Sequence, residues 1–277
     1  MTFTNVSVIG LGCIGGSIVM SLSGEHARVR AWSASSEDRA MARAAGHDVP
    51  ESPESALAEA DVIVIAVPVQ AMVDVMRIVL REAAAHATIL HCGGVQSRQA
   101  LALDEDAFAR VRGTHPLAGS QDSGFAAARA DLFEGCTVSV ERRVTPTQET
   151  HARWLWGELR VARLEYRTAE EHDVLMAWIS QLPQLASTAL AATFAAEHID
   201  PHSVGPGARG TTRLAASAFE QWVALLQAQP AVLDSALARL ETTVASIRDA
   251  VARDDQRALR QLWDSAREWR RAAEHSA

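Results

Sequence analysis

Three stretches of this chain carry residue types at spacings that could do chemistry. The first is Gly10-Leu11-Gly12-Cys13-Ile14-Gly15, which follows a β-rich run and opens a helical one. In that setting the glycines divide the work: a tight turn, close backbone approach to a pyrophosphate, and close packing of helix on strand. The helix start adds unpaired N–H groups and a partial positive charge that favour phosphate. Alone, such a loop is weak evidence; followed by further strand–helix units, it predicts a dinucleotide site. The second stretch decides which dinucleotide. Ser33 falls 18 residues after Gly15, where an acidic residue would accept hydrogen bonds from the ribose hydroxyls of NAD. The chain reads Ala31-Trp32-Ser33-Ala34-Ser35-Ser36 there, with Arg39 one helical turn on. Ser33, Ser35 and Arg39 could hold a 2′-phosphate that no carboxylate repels, so NADP is expected, with NAD possible. Read blandly, the segment is a polar loop and helix cap. The third stretch is Thr114-His115-Pro116-Leu117-Ala118-Gly119-Ser120. A histidine held by proline and small residues can be fixed beside a nicotinamide as a hydrogen-bond acceptor or general base. Taken alone, a His before Pro is more often structural.

These stretches need a scaffold, and the first half of the chain alternates β-rich runs with amphipathic ones. Strands are predicted at Val6–Ile9, Arg28–Trp32, Asp61–Val67 and Thr88–His91, with shorter ones near Val111 and at Thr137–Val140. Helices fall between them: from the glycine loop to about Ser23, at Glu37–Ala45 and over roughly Gln70–Ala85. Asp61–Val67 is nearly all apolar, as a strand buried on both faces should be. Such alternation implies right-handed crossovers and a parallel sheet covered on both sides. From about Thr145 the pattern changes to long helices: Gln148–Leu159, Ala169–Glu197 with its register broken at Pro183, one starting at Pro230, and Asp255–Ala273. Leu233, Leu237, Leu240, Val244, Ile247 and Val251 recur at spacings of four and three. That apolar seam asks for a partner helix, in the same chain or in a second subunit. The expected fold is an α/β, doubly wound, Rossmann-like N-terminal domain over residues 1–143 and an all-α C-terminal domain over residues 144–277.

Composition narrows the function classes. At 277 residues, 48% hydrophobic and 22% charged, the chain has the make-up of a globular protein of two domains. Its 34 acidic and 26 basic residues leave a net charge of −8. That argues against nucleic acid as a partner, since a binding surface needs a basic face to release counterions. No apolar run approaches the ~20 residues of a membrane span, and no basic region precedes the first apolar stretch. Cys13, Cys92 and Cys136 are odd in number and lack metal-ligand spacing. Reduced thiols, no bound metal, no membrane and a cytoplasmic location are expected.

Two further segments sharpen the reading. His115–Phe125 (HPLAGSQDSGF) with Leu132–Gly135 (LFEG) resembles the HP-x-AG…SG…LF-x-G signature of the prephenate/arogenate dehydrogenases. The GLGCIGGS start, AVPV at Ala66–Val69, SQLPQLAS at Ser180–Ser187 and TTRLAAS at Thr211–Ser217 follow in that family's order and spacing. The resemblance covers nearly the whole chain. It implies a dinucleotide-binding domain, a helical dimerisation domain and hence a homodimer, with the site between the two domains. The implied reaction is oxidative decarboxylation of a cyclohexadienyl acid. Hydride leaves ring C4 for the nicotinamide, the C1 carboxylate departs as carbon dioxide, and the ring becomes aromatic. By position, His115 matches the catalytic histidine that accepts a hydrogen bond from the C4 substituent. Arg213 matches the arginine that binds the ring carboxylate, a task suited to an always-charged, bidentate guanidinium. Val67, Pro68 and Gly93 match cofactor-binding segments.

Departures from the family's pattern bear on the substrate. Its D-x-G-S-x-K reads here His91-Cys92-Gly93-Gly94-Val95-Gln96, so Gly94 replaces a serine that would bond the catalytic histidine, and Gln96 replaces a lysine. Its S-H-L-P-H reads Ser180-Gln181-Leu182-Pro183-Gln184, and Ala208 and Gly210 stand where an aromatic and an acid are frequent. Gly94, Gln181 and Gln184 are expected to shape the substrate pocket. A ketoacid tail favours cationic or donor groups, and a glutamine cannot become cationic. An α-amino acid tail brings its own ammonium and suits an amide oxygen. An arogenate-like substrate is therefore expected ahead of prephenate. A ring amine, as in 4-amino-4-deoxyprephenate, is a second reading, and neutral replacement in a broad-specificity enzyme a third. A β-hydroxyacid reductase on the same plan would need a lysine in the interdomain helix, and the chain contains no lysine. From a different class comes a non-catalytic dinucleotide sensor, which would keep Gly10–Gly15 and tolerate loss of His115.

Overall fold

The computed structural model describes residues 4–22, 27–119, 122–143 and 145–274; the expected helix end at Ser23, and Ser120 and Gln121 after the histidine, lie outside them. Among the described residues seven strands form one sheet in the order β2-β1-β3-β4-β5-β6-β7. They are β1 Thr4–Ile9, β2 Ala27–Trp32, β3 Val62–Ile65, β4 Thr88–His91, β5 Val111–Pro116, β6 Thr137–Glu141 and β7 Arg163–Arg167. All neighbours run parallel except β5 and β6. Helices α1 Cys13–Leu22, α2 Ser36–Ala44, α3 Pro53–Leu57, α4 Val69–Glu82, α5 Glu105–Arg110 and α6 Pro146–Glu158 connect them.

The run of apolar residues in β3 is buried on both faces, and its period of two sorts it between two cores. Val62 and Val64 join α1 and Trp156 of α6 on one side. Ile63 and Ile65 join Met72, Met76 and Val79 of α4 on the other. Register then decides where the loops emerge. Trp32 pairs with Ile9, Ile9 with Ile65, Ile65 with His91 and His91 with Gly113, so these five residues form one row across the sheet. The segments that follow them open on one edge, the carboxyl edge where ligands of open α/β sheets bind.

The strand-and-helix pattern continues past residue 143. Helix α6 lies on the sheet, with His151 hydrogen-bonding distance (2.7 Å) from Thr88 of β4, and β7 adds an edge strand beyond it. The chain from Thr145 is thus not helical throughout. In RLEYR only Leu164 and Tyr166 are apolar, and the charged residues between them hide a short edge strand from a search for apolar runs.

Helix α7 Ala169–Met176 starts at a capping box between Thr168 and Glu171 and passes through a π turn, Ala177–Gln181, into α8 Leu182–Ala196. The break sits where Pro183 removes an N–H and its ring crowds the preceding carbonyls. Short turns, α9 Pro206–Thr211 and α10 Val223–Ala228 lead to α11 Pro230–Ala252 and α12 Gln256–Glu274. The seam on α11 is only partly covered within one chain. Leu233 is buried, but Leu237, Val244 and Val251 are 38%, 56% and 63% exposed, as are Trp263 (61%) and Trp269 (72%) on α12. Among the described residues no helix is long and apolar enough to cross a membrane.

One segment binds distant parts of the sheet domain together. Residues 124–130 lie along α1: Arg129 N–H donates to Ser17 Oγ (2.9 Å) and Ser21 Oγ donates to Ala130 O (2.6 Å). Phe125 N–H donates to Asp38 Oδ1 of α2 (2.8 Å). A Cβ on Gly16 would come within 2.7 Å of the Ala128 Cβ and 2.9 Å of the Phe125 ring.

Candidate active site

Each glycine of the loop after β1 meets a different constraint. Gly10 has φ +107°, and a Cβ there would lie 2.2 Å from Ala66 O. Gly15 seats α1 on the loop, since its Cβ would fall 1.9 Å from Gly10 O. Gly12 has nothing within 4 Å of where a Cβ would sit. Two positions are closed by packing and the middle one is open, which is the cradle a pyrophosphate needs. Leu11 is fully buried, Cys13 Sγ is turned to Ala127 O (3.4 Å), and Ile14 packs against the core. These residues fit a dinucleotide.

The loop after β2 is ordered by its own polar groups. Ser33 Oγ accepts from Ser35 N–H (3.3 Å), and Ser35 Oγ caps α2 by accepting from Asp38 N–H (3.1 Å). Arg39 reaches back, its Nη1 donating to Ser33 O and Ala34 O, with its guanidinium 5.6 Å from the centroid of Trp32. Ser33, Ser35 and Arg39 are therefore brought together. Asp38, in the first turn of α2, already accepts from Phe125 N–H.

The ends of β3, β4 and β5 enclose a cavity of about 340 Å³ lined by Val67, Pro68, Gly93, Gly94, His115 and Gln181, among others. An adjoining cavity of about 670 Å³ shares Gln221 and Leu225 with it and is lined by Arg213, Gln184 and Asp122. Gln70 Nε2 of α4 donates to Glu220 O at their shared wall. So the structure gathers His115, Gly93, Gly94, Val67, Pro68 and Gln181 in one chamber, and Arg213 with Gln184 in the next. Gln184 Nε2 donates to Leu214 O (2.9 Å), while its Oε1 and that of Gln181 have no partner within the described residues. Gln96 does not face the cavity. Its side chain lies under the sheet against Gly113, with Nε2 donating to Ser139 O (3.3 Å).

The histidine at the end of β5 sits in a buried cluster that the sequence did not reveal. His115 Nδ1 is 3.0 Å from His172 Nε2, and His172 Nδ1 is 2.8 Å from Asp173 Oδ1. Burial, then the neighbouring His172 and His91, push the His115 pKa down to about 3. Burial pushes that of His91 to about 4 and raises that of the Cys92 thiol to about 12. For Asp173 burial acts upward, but bonds from His172 and from the backbone of Gln96 and Ser97 outweigh it and hold the carboxyl below its usual range. The chamber thus offers a neutral imidazole next to a dinucleotide cradle, with a guanidinium in the adjoining space. That set can bind a small carboxylic acid and take a proton from a hydroxyl or amine on it.

Family models match both halves of the chain. The family described as "Prephenate dehydrogenase, nucleotide-binding domain" matches residues 22–163, and "Prephenate dehydrogenase, dimerization domain" matches residues 168–264. A cyclohexadienyl dehydrogenase of Zymomonas mobilis is 29% identical over 281 residues, covering 91% of this chain and 90% of that one. The fold is that of a prephenate dehydrogenase from Aquifex aeolicus, solved with hydroxyphenyl propionate and NAD+ (TM-score 0.86, 21% identity, 98% of this chain and 99% of that one). It is equally that of a Synechocystis arogenate dehydrogenase (TM-score 0.80, 20% identity, 98% and 100%).

Proposed function

The chain belongs to the prephenate dehydrogenase family, and from that premise we propose that it oxidatively decarboxylates a cyclohexadienyl acid with an α-amino acid side chain, as arogenate has. The observation that carries this reading is Gln184. It lines the cavity of Arg213 with a neutral amide; its Nε2 is held by Leu214 O, and its buried Oε1 has no partner among the described residues, an acceptor that suits an ammonium and not a ketoacid tail. Asp122 lines the same space and favours the same charge.

The glycine loop from Gly10 to Gly15 holds the pyrophosphate at the start of α1. Ser33, Ser35 and Arg39 would hold the 2′-phosphate of NADP, and Val67, Pro68 and Gly93 would line the place of its nicotinamide. When bound, the nicotinamide supplies the acceptor for the hydride that leaves ring C4. Arg213 binds the ring carboxylate until it departs as carbon dioxide. His115 accepts the proton of the C4 hydroxyl at Nε2. Gly94 leaves room beside that nitrogen, and Leu225 helps keep water away. The molecule works as a homodimer through its C-terminal helices.

Reduction of the dinucleotide by purified protein, with arogenate, prephenate and 4-amino-4-deoxyprephenate in parallel, tests the substrate. Arogenate should give the highest kcat/KM, by about tenfold or more, the discrimination expected of one buried polar contact. Gln184→His should shift the preference toward prephenate. A higher kcat/KM for prephenate in the unmodified enzyme overturns the reading, and a higher one for the amino analogue makes the C4 substituent an amine. Ser33→Asp should move cofactor preference toward NAD by ~1–3 kcal/mol, the scale of a charged hydrogen bond. Tighter binding of NAD than of NADP by the unmodified protein rules out the 2′-phosphate site.

A further inference from the structure

No hydroxyl stands beside His115 at position 94, yet its ring is held from the opposite edge. His115 Nδ1 meets His172 Nε2 at 3.0 Å, and His172 Nδ1 meets Asp173 Oδ1 at 2.8 Å. Asp173 also accepts from Gln96 N–H at Oδ1 (2.8 Å) and from Ser97 N–H at Oδ2 (2.9 Å). His172 is fully buried and Asp173 nearly so.

The direction of these bonds follows from the acid. A carboxylate that accepts two backbone N–H groups is held ionised, and an ionised carboxylate can only accept. His172 must then carry its proton on Nδ1, which leaves its Nε2 as a bare acceptor. His115 must in turn donate from Nδ1, so its own lone pair is on Nε2. That nitrogen lies on the cavity side, where a Cβ on Gly94 would come 3.8 Å from it. The third titratable group near this ring, His91 of β4, is occupied by Gly93 N–H at Nδ1 (3.3 Å).

We propose that His172 and Asp173 are positioning residues that lock His115 in the tautomer whose Nε2 lone pair faces the cavity. The inference rests on His115 being the base of the proposed reaction. In that step the C4 O–H bond breaks, its proton goes to Nε2, and the positive charge on His115 is opposed through His172 by the negative charge of Asp173. The arrangement does for this histidine what a buried aspartate does for a catalytic histidine elsewhere: it fixes tautomer and orientation and stabilises the cation.

Nitrogen-15 NMR of the histidine-labelled full chain at neutral pH reads the lock directly. His115 Nε2 should be unprotonated and His172 Nδ1 protonated. Asp173→Asn can donate from its amide to His172 Nδ1, which reverses both bonds and puts a proton on His115 Nε2. Its kcat should fall roughly 10²–10⁴-fold with dinucleotide affinity and KM nearly unchanged. His172→Gln keeps an acceptor for His115 Nδ1–H and should retain activity within about tenfold, whereas His172→Leu should lose as much as Asp173→Asn. An Nε2–H tautomer in the unmodified protein, or an unchanged kcat in His172→Leu, overturns the proposal, and both readings stand even if Asp173→Asn fails to fold. The expected spectrum together with a fully active His115→Asn would overturn the base assignment and leave the tautomer lock intact.

Discussion

At the scale of the residue, burial decides how His115 behaves with pH. An ordinary imidazole titrates near ~6.5, and from sequence the activity would be expected to fall through that value. In the fold the His115 pKa drops to about 3. The acid limb of kcat/KM should therefore lie well below pH 6, and a limb at 6.5 in a pH–rate profile would contradict the buried site. The same shift bears on stability. His91 and His115 are neutral in the folded chain at pH values where the unfolded chain would protonate them. Stability is thus complete above about 6.5 and lost as pH falls toward 4, by up to ~1.4 kcal/mol per pH unit for each group. Urea midpoints between pH 7 and 4.5 measure this slope, and His91→Asn should make it shallower. Arg213 is exposed on the cavity wall, so Arg213→Ala should raise KM by the equivalent of ~1.5–3 kcal/mol, the scale of a charged hydrogen bond; an unchanged KM would put the carboxylate elsewhere. His115 stood out through the HP-x-AG…SG…LF-x-G resemblance, since a His before Pro taken alone is more often structural. His172 and Asp173 did not, because the bond from His172 to His115 spans 57 positions and no local spacing announces it.

At the scale of the element, the glycine loop separates the needs of fold and ligand. A Cβ at Gly15 would meet the carbonyl of Gly10 at 1.9 Å, and neither backbone can move cheaply. Gly15→Ala should cost ~1–3 kcal/mol or more through overpacking. Gly12→Ala meets nothing and should leave the Tm nearly unchanged while weakening the dinucleotide, as calorimetric titration would record. Equal losses of stability in the two variants would mean that the open position is structural too. This loop was legible from the spacing of its glycines, and β3 because burial on both faces demands an uninterrupted apolar run. The break near Pro183 was legible from the missing N–H. Strand β7 and the short turns between α8 and α11 were not, since an edge strand needs few apolar residues and isolated turns have no periodicity. Their shape comes from what they pack against.

At the scale of the whole molecule, the helical half leaves apolar surface uncovered. Leu237, Val244 and Val251 recur along one stripe of α11 and are all exposed in a single chain, as are two tryptophans of α12. Together with the match to a dimerization domain over residues 168–264, this surface predicts a dimer at micromolar concentration in analytical ultracentrifugation. Val244→Glu with Val251→Glu should halve the mass, and a monomeric unmodified protein would remove the claim. The sheet domain is integrated in another way. Residues 124–130, more than a hundred positions downstream, close over α1 through Ser17, Ser21 and the space that Gly16 leaves for Phe125 and Ala128. A chimera that borrowed the first βαβ unit from a relative, to change cofactor, would set a foreign helix beneath a native strap. A bulkier residue at position 16 would meet the Ala128 Cβ and the Phe125 ring and lift the strap. The first βαβ unit and residues 124–130 therefore travel as one piece of packing, and a graft that exchanges the first must carry the second.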